Sequence, residues 1–240
     1  MKSAIGIIPA RYGAQRFPGK PLAKILGKPM IQWVYERASS SKALKKVIIA
    51  TDDERIQNTA RSFGAETVMT SSRHPSGTDR VAEIARQLNV PVIVNIQGDE
   101  PLIRGEMITS LVDALQDHTA AMATLAVKSL DDRLLKDENT VKVVFDKERY
   151  ALYFSRSPIP YNSDRFWIHI GIYGYQREFL LEFSKLKPTI LENIEKLEQL
   201  RALEYGYKIK IIESAFPTIS VDIPDDISKI ENILEKEEYA

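Results

Sequence analysis

Arg11, Arg16 and Lys20 crowd one short segment, Ile5 to Leu22, in which an apolar run breaks at Pro9 and two glycines, Gly13 and Gly19, follow among the cations. Bare backbone N–H groups and cations can converge on one anion, so the loop suits a polyphosphate and points to a nucleotide; a turn with solvated side chains is the plainer alternative. The Walker phosphate loop is excluded. It needs four residues between its glycines and Ser or Thr after the lysine, whereas five residues separate Gly13 from Gly19 and Pro21 follows Lys20. Pro21 brings neither a hydroxyl for Mg²⁺ nor an N–H for phosphate.

Two carboxylates could serve such an anion. Asp99, behind Gly98 at the end of the apolar run Pro91 to Ile96, can hold Mg²⁺, a hard ion that takes oxygen ligands and shares them with phosphate; it can equally be a turn residue before Pro101. Asp222 ends a strand-like run, and Asp225 and Asp226 already stand where a helix cap is expected, which leaves Asp222 open as a second metal ligand. The loop Ser71 to Arg80 runs into a helix start, whose N–H groups attract anions. Ser76 and Asp79 make a capping-box variant that accounts for both residues, while Arg73 and Arg80 add cations suited to phosphate. Asp52 or Asp53 reads as the cap of a following helix.

Composition sets limits around these groups. The 33 basic and 33 acidic side chains cancel, so neither a nucleic-acid nor a membrane surface has global support and any anion site must be basic locally. Without cysteine there is no disulfide, thiolate ligand or thiol nucleophile, which fits a reducing cytoplasm. No run approaches the roughly twenty apolar residues of a membrane helix, and the chain enters a strand rather than a signal peptide, so a soluble cytoplasmic protein is expected. The three histidines, His74, His118 and His169, form no Ser/His/Asp arrangement.

These residues need elements to hold them. Ala4 to Ile8, Lys46 to Ala50 and Pro91 to Ile96 are short apolar runs of the kind buried parallel strands require. Helices alternate with them: Pro29 to Ala38, a stripe of Val81, Ile84, Ala85 and Leu88, and another of Ile108, Leu111, Val112 and Leu115. The second half predicts a hairpin from Thr140 to Phe145 and Tyr150 to Ser155, a strand from Trp167 to Tyr175, one helix from Leu191 to Tyr205, a strand from Lys208 to Ile212 and a closing helix from Ile227 to Leu234. The pattern is an α/β fold, a mainly parallel sheet flanked by helices with a smaller antiparallel element beside it. In such sheets ligands bind beyond the carboxyl ends of the strands, where Arg11 and Asp99 fall. Residues 1–240 read as a single domain, with about 130–190 as the smaller lobe.

Eight segments in order, IPARYGAQRFPGKPL, ATDDERI, HPSGTDR, NIQGDEPLI, ALYFSRSPIP, HIGIYGY, LEQLRALEYG and SVDIPDDI, closely resemble the 3-deoxy-manno-octulosonate cytidylyltransferases, or CMP-Kdo synthetases. The resemblance spans nearly the whole chain. It implies a nucleotide-diphospho-sugar transferase fold, a Mg²⁺-dependent enzyme and a cytoplasmic homodimer whose small lobe serves sugar binding and dimerisation. The activity it implies joins CTP to the acid sugar Kdo, giving CMP-Kdo and pyrophosphate for lipopolysaccharide biosynthesis.

Carried over position by position, the resemblance implies that Ala10, Arg11, Arg16, Lys20, Arg73, Ser76 and Gly77 bind the nucleotide. Lys20 is then assigned to the departing phosphates. Gln97, Arg156, His169, Tyr173, Glu198 and Gln199 fall at positions facing the sugar, and Asp99 and Asp222 hold Mg²⁺ between sugar hydroxyl and α-phosphate; with Lys20 these two form the catalytic set. Each sugar-side residue also has a local reading. His169 and Tyr173 are two strand steps apart on one face and could pack in a sheet; Glu198 and Gln199 lie between helix leucines, where polar residues normally face water.

The sequence departs from the family in detail. Arg149 stands where many relatives have glycine, Ser220 where glycine often precedes Val-Asp, and Tyr161 to Ile168 is shorter than in some members. A cytidylyltransferase for 8-amino-Kdo or sialic acid, and a nucleotide-binding regulator without catalysis, are the other readings. The sugar-side set favours Kdo over sialic acid, and Lys20, Asp99 and Asp222 together speak against a regulator.

Overall fold

The computed structural model describes residues 4–13 and 17–238. The first strand, β1 (Ala4–Ala10), is followed by a two-strand hairpin of β2 (Lys24–Ile25) and β3 (Lys28–Pro29), then α1 (Met30–Ser39), β4 (Leu44–Thr51), α2 (Glu54–Ser62), β5 (Glu66–Met69), α3 (Gly77–Ala85), β6 (Val92–Asn95) and α4 (Gly105–Asp113). The second half adds β7 (Met122–Ser129), α5 (Asp132–Lys136), β8 (Lys142–Phe145), β9 (Ala151–Ser155), β10 (Phe166–Gln176), α6 (Arg177–Phe183), α7 (Ile190–Glu195), α8 (Gln199–Glu204), β11 (Ile209–Glu213) and α9 (Asp226–Glu238).

The main sheet runs β11-β7-β10-β6-β1-β4-β5. β1 pairs in parallel with β4 and β6, β4 with β5, and β11 with β7, while β10 is antiparallel to both its neighbours. The expected hairpin is present as β8 and β9, with Lys142 opposite Ser155, and β8 also pairs with the first half of β10. The antiparallel element is therefore joined to the parallel one through a single long strand.

Both faces are covered, as the apolar runs demanded. Ile8 of β1 packs on one face with Ile31 and Val34 of α1, Ile56 of α2 and Ile108, Leu111 and Val112 of α4. Ile5 and Ile7 point to the other, against Val81, Ile84 and Ala85 of α3, Phe179 and Phe183 of α6 and Leu200 of α8. A third cluster under α9 holds Ile25, Met30, Leu102, Val221, Ile230 and Leu234.

Three expectations need correction. The first strand does not break at Pro9 but continues to Ala10. Ile7 accepts from the Ile96 N–H on the β6 side, and Pro9 faces that side beyond the last β6 pair, where its missing N–H costs no ladder bond. Pro29 ends β3 and precedes α1 rather than starting it. The single helix from Leu191 to Tyr205 is two, because Lys196 takes a left-handed conformation at φ 56° and ends α7.

Candidate active site

A cleft of about 210 Å³ opens beyond the carboxyl ends of β1 and β6, at the start of α3. Pro9, Ala10 and Arg11 leave β1 into it, Gln97, Gly98 and Asp99 leave β6, and His74, Ser76 and Gly77 enter from the loop before α3. The chain is closely packed where the walls meet: a Cβ on Gly98 would lie 3.1 Å from the Pro9 carbonyl oxygen, and one on Gly77 3.3 Å from the Pro9 ring, so a side chain at either would press on its neighbour. Ser76 caps α3, accepting from the Asp79 N–H at 3.1 Å and donating to the Asp79 carboxylate at 2.8 Å, so the cap is present while the expected box is replaced by a hydroxyl–carboxylate bond. The free N–H groups of that first turn border the cleft.

Lys20 crosses the cleft floor from the turn Lys20–Leu22. Its Nζ donates to Asp99 Oδ2 at 2.5 Å and to the Val221 carbonyl at 2.8 Å, while the Val221 N–H donates to the Asp99 carbonyl at 2.9 Å. Residues 79 and 201 positions from Lys20 are thereby tied to one ammonium. Asp222 follows directly, with its N–H held by the Asp226 carboxylate at 3.0 Å and the buried Val221 fixed in the cluster under α9. Asp226 opens α9 and its carboxylate turns back to the N–H groups of Asp222 and Ile223 before the helix, so it braces that turn rather than serving as the helix cap expected of it.

Other predicted nucleotide residues are distributed differently. Arg11 is exposed on the rim, Arg73 is exposed in the loop before α3, and Arg16 lies outside the described residues. Arg80 is buried, with its guanidinium bound to Thr70 Oγ1 and, at 2.9 Å, to Asp52. It nonetheless lines the cleft, as a cation held in place from behind. Asp53 caps α2 through the Arg55 N–H at 2.9 Å.

The sugar-side residues gather on the neighbouring wall. His169 lies opposite Ala126 of β7 and Tyr173 opposite Thr124; the bulge between Ile170 and Tyr173 absorbs two residues and brings the rings to 5.5 Å, one strand step apart rather than two. Thr124 Oγ1 meets His169 Nε2 at 2.9 Å, Phe154 stands edge-on to the imidazole at 5.0 Å, and burial pushes the His169 pKa down to about 3. The Tyr173 hydroxyl donates to Gln199 Oε1 at 3.2 Å, and burial raises its pKa as well. Gln199 is buried and its Nε2 has no hydrogen-bond partner. The break at Lys196 turns Glu198 and Gln199 inward, which a continuous helix would have set toward water. Burial also raises the Glu198 pKa, opposed by the hydrogen bond from Thr78 and by the Arg201 guanidinium. Arg156 is farther along, past β9: its Nε donates to the Glu195 carbonyl at 2.8 Å and its Nη1 to the Glu138 carbonyl at 2.9 Å.

Comparison with known proteins decides the family. A family model described as cytidylyltransferase matches residues 5–211. The chain is 48% identical over 248 residues to the 3-deoxy-manno-octulosonate cytidylyltransferase of Thermodesulfovibrio yellowstonii, covering 96% of this chain and 97% of that protein. The chain belongs to the cytidylyltransferase family. It is also 53% identical over 230 residues to the 8-amino-3,8-dideoxy-manno-octulosonate cytidylyltransferase of Shewanella pealeana, covering 92% of this chain and 94% of that one. A solved CMP:2-keto-3-deoxy-manno-octonic acid synthetase complexed with CTP has 41% identity and a TM-score of 0.93 over 98% of this chain and 99% of that one.

Three residues of this cytidylyltransferase escaped the sequence reading. Thr78 and Asn95 sit behind the cleft, where Asn95 Nδ2 donates to Thr78 Oγ1 at 3.3 Å and Thr78 donates to Glu198 Oε2 at 2.5 Å. Glu100 is buried beside Asp99, and burial together with the Asp99 carboxylate pushes its pKa up to about 8; its Oε2 has no partner. A buried polar residue directly behind a motif is the one signal that could have drawn attention to them.

Proposed function

We propose that the protein transfers CMP from CTP to the anomeric hydroxyl of 3-deoxy-manno-octulosonate in the cytoplasm, releasing pyrophosphate and giving CMP-Kdo for lipopolysaccharide biosynthesis. The observation that carries this reading is the Lys20–Asp99–Val221 knot at the floor of the cleft, with the neutral His169, Tyr173 and Gln199 wall beside it. The curated relatives named for this activity and the solved synthetase with CTP support it.

The sugar hydroxyl oxygen forms a bond to the α-phosphorus as the bond to the bridging oxygen of pyrophosphate breaks, and the hydroxyl proton leaves to solvent. CTP and Kdo are both anions, so repulsion between them is the main obstacle. Lys20 supplies a cation at the cleft floor, and the first turn of α3 supplies N–H groups for phosphate oxygens. On the other wall a neutral imidazole, a phenol and an amide can read sugar hydroxyls without adding charge.

The donor set fits a divalent cation. Asp99, Glu100 and Asp222 interact electrostatically, and their mutual repulsion contributes to the raised Glu100 pKa, a strain that a cation relieves. Among the described residues no group of three or more acidic or histidine side chains is arranged around one metal position, so Asp99 and Asp222 would hold Mg²⁺ as a pair, with phosphate and water completing the oxygen shell. When bound, the ion supplies charge stabilisation at the phosphoryl group and lowers the hydroxyl pKa.

A homodimer through the smaller lobe belongs to the same reading; Leu130, Leu152 and Tyr161 leave exposed apolar surface there. Among the described residues no helix is long and apolar enough to cross a membrane. A second reading takes 8-amino-Kdo as the acceptor, favoured by the Shewanella relative. Pyrophosphate release from purified protein, CTP and Mg²⁺ tests both. Release with Kdo well above that with 8-amino-Kdo and sialic acid is expected, a preference for the amino sugar selects the second reading, and no release with any acceptor overturns the proposal.

A further inference from the structure

Thr78 touches neither the cleft surface nor, by the sequence resemblance, either substrate, yet four elements meet at its hydroxyl, Tyr175 of β10 being a further hydrogen-bond partner beside those of β6 and α8. It is 4% exposed, in the first turn of α3, immediately after the Ser76 and Gly77 that border the nucleotide cleft. Its Oγ1 accepts from Asn95 Nδ2 of β6 at 3.3 Å and donates to Glu198 Oε2, ahead of α8, at 2.5 Å. Asn95 is itself fully buried and its Oδ1 accepts from Gln97 Nε2 at 3.3 Å, so an unbroken chain of side-chain hydrogen bonds runs from Gln97 on the cleft wall to Glu198.

The directions of these bonds are fixed by chemistry. An amide nitrogen only donates, so the Asn95 bond uses a lone pair of the threonine oxygen, and the single hydroxyl proton is left for the carboxylate. Glu198 precedes Gln199, whose Oε1 holds the Tyr173 hydroxyl at 3.2 Å. Its other restraint is Arg201 Nη2, 3.6 Å from Oε1. A carboxylate in this setting is costly to leave without donors.

We propose that Thr78 is a positioning residue that sets the sugar-facing end of α8 from the nucleotide-facing turn of α3, so that the two substrate sites are held in register through one hydroxyl. The inference rests on the cytidylyltransferase reading of the two walls. It makes Glu198 a strut between the sites, reached from the nucleotide side, and it gives Asn95 the task of orienting both Thr78 and Gln97. Buried networks of this sort define a single arrangement when every member is satisfied.

Thr78→Val keeps the shape and removes the hydroxyl. A role confined to starting α3 predicts a raised KM for CTP, because that turn borders the nucleotide cleft; the positioning role predicts a KM for the sugar raised about tenfold or more with the CTP KM little changed, the scale of one lost donor to a buried charge. Thr78→Ser retains the hydroxyl and is expected to restore most of the sugar KM. Thr78→Ala carries the same expectation if the valine variant folds poorly by circular dichroism. Unchanged sugar KM in either hydroxyl-free variant, a CTP effect equal to the sugar effect, or no rescue by serine overturns the inference. Failure of the wild-type protein to release pyrophosphate with any acceptor is a different result and strikes the proposed function itself.

Discussion

On the nucleotide side of the cleft the polar groups sit on loops that follow parallel strands: Ala10 and Arg11 after β1, Gln97 to Asp99 after β6, and Ser76 at the head of α3. On the sugar side His169 and Tyr173 stand on β10 itself and Gln199 opens α8, packed among Phe154 and Tyr175. The first wall meets charge with the exposed Arg11 and Arg73, the Lys20 ammonium held by Asp99, and backbone N–H groups. The second keeps its polar groups neutral by burial. Reading hydroxyls calls for fixed donors and acceptors on rigid elements, whereas accepting and releasing a polyphosphate calls for cations that can move.

The division is sharpest at Asp99. If charge handling is confined to the loop wall, Asp99→Asn should keep the fold and the KM for the sugar while lowering kcat by roughly a hundredfold or more, the scale of losing a principal electrostatic group. Lys20 then also loses its carboxylate partner at 2.5 Å. Steady-state pyrophosphate release against CTP and sugar concentrations checks this, and near-normal kcat removes Asp99 from the chemistry.

Arg156 is the test of whether the sugar side is wholly neutral. The resemblance places it on the sugar carboxylate, yet its guanidinium here is engaged by the carbonyls of Glu195 and Glu138. Carbonyls do not neutralise the cation, so it retains its charge for an incoming anion. Arg156→Ala should raise the sugar KM about tenfold while leaving the CTP KM within a small factor, in keeping with a lost charge-assisted contact. Equal effects on both substrates would assign Arg156 to holding α7 against the small lobe instead.

The same contrast governs what could be read in advance. The loop wall was legible because turn chemistry is local: Gly98 and Gly77 mark close approach, Ser76 and Asp79 mark a helix start, and Asp99 follows an apolar strand. The other wall depends on relations no local pattern carries. β7, whose Thr124 and Ala126 set the register of β10, lacks the β-branched density of a typical buried strand and was not foreseen. The left-handed Lys196 reorients residues at a position without a signalling glycine, and the bulge after Ile170 holds Gly171, whose place inside a strand marks an irregularity but not which residues it turns. Hence Tyr173 and Gln199 could be assigned only by resemblance. Arg80 is intermediate: its type suggested phosphate, and it lines the cleft while Asp52 and Thr70 hold its guanidinium, an anchoring that no local pattern announces.

The smallest predicted effect concerns His169 and the neutrality of its wall. Burial lowers its pKa from 6.5 to about 3, so between those values the unfolded chain binds a proton that the folded chain refuses. Stability linked to this group therefore rises with pH through that window, is complete above about 6.5, and is lost progressively as pH falls toward 3. His169→Gln keeps a polar partner for the Thr124 hydroxyl but has nothing to titrate, so its denaturation midpoint should fall less than that of the wild type between pH 7 and pH 4. Parallel midpoints across that range would mean that His169 is solvated enough to ionise in the folded state. The sugar wall would then carry a titrating charge, and its contrast with the nucleotide wall would reduce to which elements bear the residues.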